Sequence, residues 1–368
     1  MINNSICPSA TKLVAVVAAL LSLACPYVDA QPLAISKGAG VTLTRAFSTV
    51  ETKAGTPSGV SGIACLPAKE SKRSCISVND EERFAEWATL DKDTLIPSGK
   101  KVQLLTIHKK QKDLVVGAMP VEPRCAEVDD FEEFDGEAVA LSDGVLYVTG
   151  SHACSRKKGK FRPSAFILAR FKATGNAIEA KEVERTWRLT DLIRNSPLKE
   201  AFAVVGAGGI GVEGLAVSKG RVYIGLRTPV INETATILHS DVEPLFSAGS
   251  ERLTAKPEVI SIGLGRAVGI RDLAALPDGR LLVLSGSTNG VDTPFVVHVL
   301  WPSTGKHRPI VELKTDIQGK GSGGVAETAK AEAISVLDVA GQIVTLLVAY
   351  DNIDGGGMRI HRLTLPVD

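Results

Sequence analysis

Apolar and polar positions along this chain form short strand-like runs that come in pairs. The clearest pair is Glu137–Leu141 and Val145–Val148, joined by a Ser-Asp-Gly turn and followed by the polar Ser151 and His152. Two apolar runs separated by a short Gly-containing turn predict a β-hairpin. We therefore predict one hairpin wherever this pattern recurs: an acidic residue, an apolar strand, a turn and a second apolar strand.

The hairpin pattern returns at long intervals. Its copies begin at Ser61, Glu137, Glu213, Asp272 and Glu332, with steps of 76, 76, 59 and 60 residues. Solenoid repeats usually span about 20–47 residues, whereas four-stranded blades with long loops fit a step of about 60 residues. We therefore predict an all-β fold, a β-propeller with five four-stranded blades. The alternative that a sixth blade lies within the long steps before Glu137 and Glu213 stays open.

Fainter apolar runs supply the outer strands of each blade. They are Phe84–Leu90, Val102–Ile107, Phe166–Phe171, Val183–Leu189, Phe295–Leu300 and Ile310–Leu313. Helical signals are sparse, and Leu189–Asn195 predicts one or two turns. Only Arg359–Leu365 follows the last hairpin, so we predict that Val41–Phe47 supplies the missing strand and closes the ring.

The first residues predict a secretory signal peptide over 1–30. Lys12 precedes an apolar stretch of twelve residues, Leu13–Ala24. The small residues of Val28-Asp29-Ala30 then predict a signal-peptidase cleavage site before Gln31. Residues 31–58 then form a loose leader with the ring-closing strand, and residues 59–368 form the propeller. We expect a periplasmic or secreted protein. A membrane anchor and a lipid anchor on Cys25 are the open alternatives.

Removal of the signal would leave four cysteines, Cys65, Cys75, Cys125 and Cys154. An even number in an exported chain suggests two disulfides, and four cysteines permit three pairings. Cys65 and Cys75 lie on facing strands of one hairpin, and Cys125 and Cys154 flank the next hairpin on one rim. We predict these two pairs. Free buried thiols are the alternative.

The formal net charge of +1 creates no strong positive electrostatic field that would favour binding to nucleic acid. We expect a monomer that binds a small anionic molecule and has no membrane span once the signal is removed. No nucleophile elbow, phosphate-binding loop or zinc-protease motif is present in the sequence. The glycine-rich Gly206–Gly211 precedes a strand instead of a helix, so it is a poor dinucleotide fingerprint.

Acidic residues open the leading strands of four hairpins. In a propeller blade, the start of the first strand and the end of the second lie on one face, so these acids would ring one mouth of the channel. Converging carboxylates need a cation or protons, and hard oxygen ligands suit calcium or another divalent cation. The alternative is structural, with each acid bonding backbone amides of the neighbouring blade. The predicted metal ligands are Glu137, Glu213, Asp272 and Glu332.

Other polar residues fall on the same predicted face. Arg227 and Arg271 would hold an anionic group, and His152 or Asp80 would move a proton. The basic run Arg156–Arg162 would attract an anion or form a solvated loop. The substrate-binding candidates are Ser61, Glu81, Ser151, Asp351 and Asn352.

Several of these motifs resemble a bacterial family catalogued as domain of unknown function 3616. The matching features are Ser61–Ala64, Val78–Glu81, Phe134–Ala138, Thr149–His152, Val212–Ala216 and Gly225–Arg227, and the resemblance covers roughly residues 60 to 366. It implies a propeller but no established activity.

More distantly, the Glu213-Gly214-Leu215-Ala216 phrase is similar to strand openings of phytase-like and esterase-like propellers. That likeness implies calcium-assisted cleavage of phosphate or carboxylic esters. Two hypotheses follow: a metal-dependent hydrolase, or a non-catalytic propeller that binds a ligand or protein on the same face.

Overall fold

Strands dominate the part of the chain that the structure, a computed structural model, describes. The described residues are 33–48, 59–105, 115–120, 125, 133–155, 159–206, 208–289, 293–314, 318–320, 326–351 and 357–367. The predicted signal peptide, Asn352 and Arg156–Lys158 lie outside them. Within the described part, no helix combines the length and apolar character needed to cross a membrane.

The strands form antiparallel units of four, each led by one of the predicted hairpins. Unit 1 contains β3 (Gly62–Cys65), β4 (Lys72–Val78), β5 (Phe84–Asp91) and β6 (Thr94–Gln103). Unit 2 contains β8 (Gly136–Ser142), β9 (Val145–Gly150), β10 (Leu168–Lys172) and β11 (Glu184–Thr186), with β7 (Val115–Val116) added parallel to β11. Unit 3 contains β12 (Gly211–Ser218), β13 (Arg221–Thr228), β14 (Thr234–Asp241) and β15 (Glu258–Gly263).

The remaining units follow the same plan. Unit 4 contains β16 (Val268–Ala275), β17 (Leu281–Ser287), β18 (Phe295–Trp301) and β19 (Lys306–Leu313). Unit 5 contains β22 (Lys330–Ala340), β23 (Ile343–Asp351) and β24 (Met358–Thr364), completed by β2 (Ala39–Leu43). Shorter elements are β1 (Ile35–Ser36), β20 (Gln318–Lys320), β21 (Ala326–Thr328), α1 (Arg188–Arg194) and α2 (Glu243–Phe246).

The leading strands of the units form a closed ring. β3 contacts β8, β8 contacts β12, β12 contacts β16, β16 contacts β22, and β22 returns to β3. Antiparallel units arranged radially around a channel are the defining feature of a β-propeller. The propeller predicted from the hairpin repeat is therefore the observed architecture.

Apolar side chains fill the wedge between each unit and the next. Ile63 of unit 1 packs with Leu347 of unit 5, and Ile262 of unit 3 packs with Val283 of unit 4. Both faces of each sheet are thereby buried, which is why the inner strands read as nearly continuous apolar runs. Gly214 is needed where β12 approaches unit 4, because a Cβ there would lie 2.9 Å from Leu273 Cγ.

The N-terminal strand closes the ring, as predicted, but at a different position. Ala39–Val41 pairs antiparallel with Met358–Ile360, and Thr42–Leu43 then pairs parallel with Thr94–Leu95. β2 therefore joins units 5 and 1 into one eight-stranded sheet. The expected bounds of Val41–Phe47 are wrong, since the strand is Ala39–Leu43. Within the expected leader, β1 also pairs parallel with β19.

Several outer strands differ from the prediction. The fourth strand of unit 1 is Thr94–Gln103 instead of Val102–Ile107, and the run Val183–Leu189 divides into β11 and the start of α1. The short helix expected over Leu189–Asn195 is α1.

Candidate functional site

A register irregularity marks the start of four leading strands. In β8, β12, β16 and β22 the register between the strands of the hairpin skips one residue near the strand start, which is the sign of a β-bulge. The four skipped residues are Glu137, Glu213, Arg271 and Glu332. The sequence pattern placed Asp272 in this set. The register places Arg271 there instead, so the alignment of the fourth hairpin with the other hairpins in the sequence was wrong by one residue.

Arg271 bridges the acids on either side of it in the ring. Its Nη1 lies 2.8 Å from Glu213 Oε2, and its Nη2 donates to Glu332 Oε2. Arg227, near the end of β13, donates from Nη1 to Glu213 Oε1 at 2.6 Å. Glu213 and Arg271 are each only 5% exposed. This ion network pairs two of the predicted metal ligands, Glu213 and Glu332, with arginine side chains.

Asp272, the third of those ligands, bonds backbone amides instead. Its side chain is fully buried, and it accepts hydrogen bonds from Leu273 N and Ile334 N, both at 2.7 Å. The amide of Leu215 is a further donor. Burial raises the pKa of Asp272 well above its usual range, against the lowering effect of these amides. Asp272 therefore links β12, β16 and β22. It has the structural role that was the alternative to metal binding, in which an acid of the ring bonds backbone amides of the neighbouring blade.

A cavity of about 650 Å³ opens at this end of the channel. Its walls come from the end of β4, the two ends of the β8–β9 hairpin, the loop after β9 and the start of β12. Among the residues that the structure describes, six acids and three bases line it: Asp80, Glu81, Glu133, Asp135, Glu137 and Glu213 against Lys160, Arg162 and Arg227. Two of the bases bind lining acids, Arg162 to Glu133 and Arg227 to Glu213. The wall consequently carries an excess of negative charge.

Local turns hold the acids of this wall in place. Asp135 adopts φ +56°, a left-handed conformation that Asp tolerates better than most residues, and its Oδ2 accepts a hydrogen bond from Ser151 Oγ. The side chain of Asn79 accepts from Glu81 N at 2.7 Å and donates to Gly59 O at 2.5 Å. The predicted substrate-binding residues Ser151 and Glu81 thus lie at the cavity, as does Asp80.

A disulfide borders the same cavity. Cys154, one of the lining residues, is bonded to Cys125 with a Cα–Cα distance of 5.6 Å. The other disulfide joins Cys65 and Cys75, which face each other across the β3–β4 hairpin. Both predicted pairings are confirmed.

Six of the predicted residues that the structure describes lie away from the cavity lining: Arg271, Asp272 and Glu332, described above, and His152, Ser61 and Asp351. His152 is fully buried: its Nδ1 is 3.2 Å from Thr190 Oγ1, and its ring meets Phe166 edge-on. Burial lowers the pKa of His152 to about 3, so it is neutral and unsuited to moving a proton at the cavity. Ser61 donates its amide to Val78 O, and Asp351 ends β23. Neither borders the cavity.

A preformed metal cluster is not seen in the part of the chain that the structure describes. No three His, Cys, Asp or Glu side chains of those residues converge as metal ligands would. Since Asp272 bonds amides and both Glu213 and Glu332 bind Arg271, the predicted quartet does not fit a divalent cation. Calcium at this mouth stays a prediction.

A second cavity of about 680 Å³ lies at the other end of the leading strands. Its lining includes the later residues of the same strands, such as Leu215–Lys219 and Leu273–Pro277, with Asp338 at its edge. The network of Glu213, Arg271 and Glu332 belongs to the opposite ends of these strands. The acidic cavity and the second cavity are therefore separate openings of one channel.

Sequence reasoning missed two acids of the lining, Glu133 and Asp135, whereas Lys160 and Arg162 belong to the basic run that it singled out. A signal for the two acids is present. An acidic run, Asp129–Asp135, precedes the second hairpin, and a basic run, Arg156–Arg162, follows it. Because the two ends of a hairpin lie side by side, such runs are expected to meet, as Glu133 and Arg162 do.

Comparison with known proteins agrees with part of the expected resemblance. The model of a family described as "Protein of unknown function (DUF3616)" matches residues 164–362. This range begins after the second hairpin, so the motifs around Ser61, Asp80 and Glu137 lie outside it. No curated protein matches the chain.

Among solved structures, the chain is similar to an exo-β-1,3-galactanase from Phanerochaete chrysosporium at 8% identity and a TM-score of 0.44. The match covers 89% of this chain and 63% of the galactanase, less than two thirds of its length. An α-L-arabinofuranosidase from Podospora anserina matches at 9% identity, with 89% and 96% coverage and a TM-score of 0.41. The calcium-binding protein regucalcin from Agrobacterium tumefaciens matches at 13% identity, with 91% and 98% coverage and a TM-score of 0.35. We draw no conclusion about ligands from these weak likenesses.

Proposed function

Because the chain belongs to the family described as "Protein of unknown function (DUF3616)", we propose a function from its own site: it binds a small organic cation, such as a diamine, in the acidic cavity. The observation that carries this proposal is the composition of the cavity wall, six acids against three bases. A volume of about 650 Å³ suits a small molecule, since ligand pockets span about 300–1,000 Å³.

The distribution of charge favours an extended cation over a single metal ion. The ion pairs Arg162–Glu133 and Arg227–Glu213 balance two bases with two acids. The described wall also contains Lys160 and four further acids from two different units, Asp80, Glu81, Asp135 and Glu137. Four carboxylates spread along a wall attract a ligand whose positive charges are also spread out, as in a diamine. The anionic ligand expected from the sequence stays a prediction, which this wall does not favour.

The proposal also covers the number of blades and the cellular location of the protein. We propose that the ring formed by β3, β8, β12, β16 and β22 is a five-bladed propeller with no further blade. We also propose that the chain is exported to the periplasm or beyond. The two disulfides support export, because such bonds persist in oxidising compartments.

Calorimetry with a matched ligand pair tests the binding function. Putrescine and 1,4-butanediol have the same chain length, and only putrescine carries charge at neutral pH. We expect binding of putrescine that weakens as salt is added, and no binding of the diol. Glu137→Gln should weaken putrescine binding, whereas Asp338→Asn, an exposed acid at the second cavity, should not. Equal binding of the diol, or equal loss in the two variants, would overturn the proposal.

A second candidate is the metal-dependent ester hydrolase that the resemblance implies. The observation in its favour is that Asp80, Glu137 and Arg227 border one cavity. Elemental analysis of the native protein and assays with para-nitrophenyl phosphate and acetate, with calcium or with a chelator, test it. Stoichiometric metal and chelator-sensitive turnover would replace the binding proposal.

A further inference from the structure

Two histidines in the outer half of unit 4 lie side by side on one face of the sheet. His298 is in β18 and His307 in β19, and their ring centroids are 6.0 Å apart. Leu300 pairs with His307 in the register. Because alternate residues of a strand share a face, His298, Leu300 and His307 all point to the same side. That side meets β15 of unit 3, where Gly263 O lies 3.1 Å from His307 Nε2.

The hydrogen bonds of His298 determine which nitrogen carries its proton. Nε2 is 2.9 Å from Ser285 Oγ, and that hydroxyl donates to Val296 O at 3.2 Å. A hydroxyl has one hydrogen, so Nε2 must donate to Ser285 and Nδ1 must carry a lone pair. The other tautomer would bury an Nδ1–H, since His298 Nδ1 is buried and has no partner among the described atoms.

The same reasoning applies to His307. The carbonyl of Gly263 can only accept, so Nε2 of His307 carries the hydrogen and its Nδ1 carries the lone pair in the neutral ring. β18 lies between β17 and β19. Nε2 of His298 is hydrogen-bonded to Ser285 of β17. Nδ1, on the other side of the ring, therefore points towards β19, the strand that contains His307.

We propose that His298 and His307 bind one divalent transition-metal ion, of the zinc and nickel class, through their Nδ1 atoms. Imidazole nitrogen is a preferred ligand of these ions. In metal sites a histidine ligand almost always donates its second ring N–H to a carbonyl, carboxylate or water, which orients the ring. Here Gly263 O and Ser285 Oγ accept those two N–H groups. Two protein ligands leave positions for water, so the ion would exchange with solvent.

His298 is 7% exposed and His307 is half-buried. This site lies on unit 4 and is independent of the acidic cavity.

Metal titration of the full chain, purified without a histidine tag and stripped with chelator, tests the proposal. Calorimetry with Zn²⁺ and with Ni²⁺ at neutral pH should show one ion bound per chain, with at least tenfold weaker binding in His307→Gln. His307 is only half-buried, so this variant is expected to fold. His239→Gln is the matched control, because His239 is another histidine on a strand, buried and stacked on Tyr223.

Nitrogen chemical shifts give a second readout. On adding Zn²⁺, the Nδ1 resonances of His298 and His307 should move far more than their Nε2 resonances. Absence of binding, unchanged affinity in His307→Gln, or coordination through Nε2 would overturn the assignment.

Discussion

The buried carboxylate of Asp272 offers a direct test of how the leading strands are held together. Replacing it with alanine removes the acceptor of at least two amides, Leu273 N and Ile334 N, each 2.7 Å from a carboxylate oxygen. These amides belong to β16 and β22, and the Leu215 amide of β12 is also served. The substitution therefore acts on three units of the ring at once.

The expected loss of stability follows from these bonds. A buried amide left without an acceptor costs about 1–3 kcal/mol. Removing a carboxylate that is costly to bury, as its raised pKa shows, offsets part of that loss. We expect Asp272→Ala to lower the free energy of unfolding by about 3–4 kcal/mol. Asp272→Asn keeps one acceptor but turns an NH2 group towards an amide donor, so we expect a loss of about 2 kcal/mol.

Urea denaturation followed by circular dichroism measures both variants. Asp278→Asn is the control, because Asp278 lies in the exposed turn of the same hairpin and pairs with Arg280; exposed pairs contribute about 0–1 kcal/mol. A loss below 1 kcal/mol for Asp272→Ala would refute the role of this carboxylate. So would an Asn variant less stable than the Ala variant.

Other parts of the molecule give three further predictions. The pKa of His152 is lowered from 6.5 to about 3 in the fold, so only the unfolded chain takes up its proton and stability falls as the pH drops below 6.5. The loss reaches about 4 kcal/mol near pH 3, and His152→Asn should flatten the pH profile of urea midpoints between pH 6.5 and 4. Replacing the Cys125–Cys154 pair with alanines opens a loop with a sequence separation of 29, which should cost about 3–4 kcal/mol; an unchanged thermal midpoint would contradict this. Gly38→Ala should cost about 1–3 kcal/mol, because Gly38 has φ +62° and a Cβ there would lie 2.6 Å from the His361 ring, whereas at Gly40, the control, a Cβ meets nothing within 4 Å.

The hairpins that surround the channel were predictable because burial dictates their sequence. Both faces of β8 and β9 pack against other units, so their residues form apolar runs bounded by a turn. The disulfide between Cys65 and Cys75 followed from the same register. The outer strands were not predictable in the same way. β6 alternates buried and exposed residues, contains Pro97 and Gly99, and therefore lacks a continuous apolar signal.

The candidate site was predicted in place but not in detail. The strand starts do gather Glu137 and Glu213 at one mouth, beside Asp80 and Ser151. The β-bulge of the fourth hairpin falls on Arg271, and nothing in the local pattern marks this arginine, instead of Asp272, as the equivalent of the acids that start the other hairpins. Whether an acid binds a metal, an arginine or an amide depends on the neighbouring unit, which lies about sixty residues away in the chain.

The pairing of β2 with β24 has a consequence for the order of biosynthesis. Residues 39–41 leave the ribosome long before their partners at 358–360 are made. These residues must wait for their β24 partners, and contacts this distant in sequence form slowly. A nascent chain halted before Met358 would hold an incomplete circle with exposed strand edges, which are prone to pair with other chains. Synthesis of Met358–Ile360 is therefore the event that allows the ring to shut.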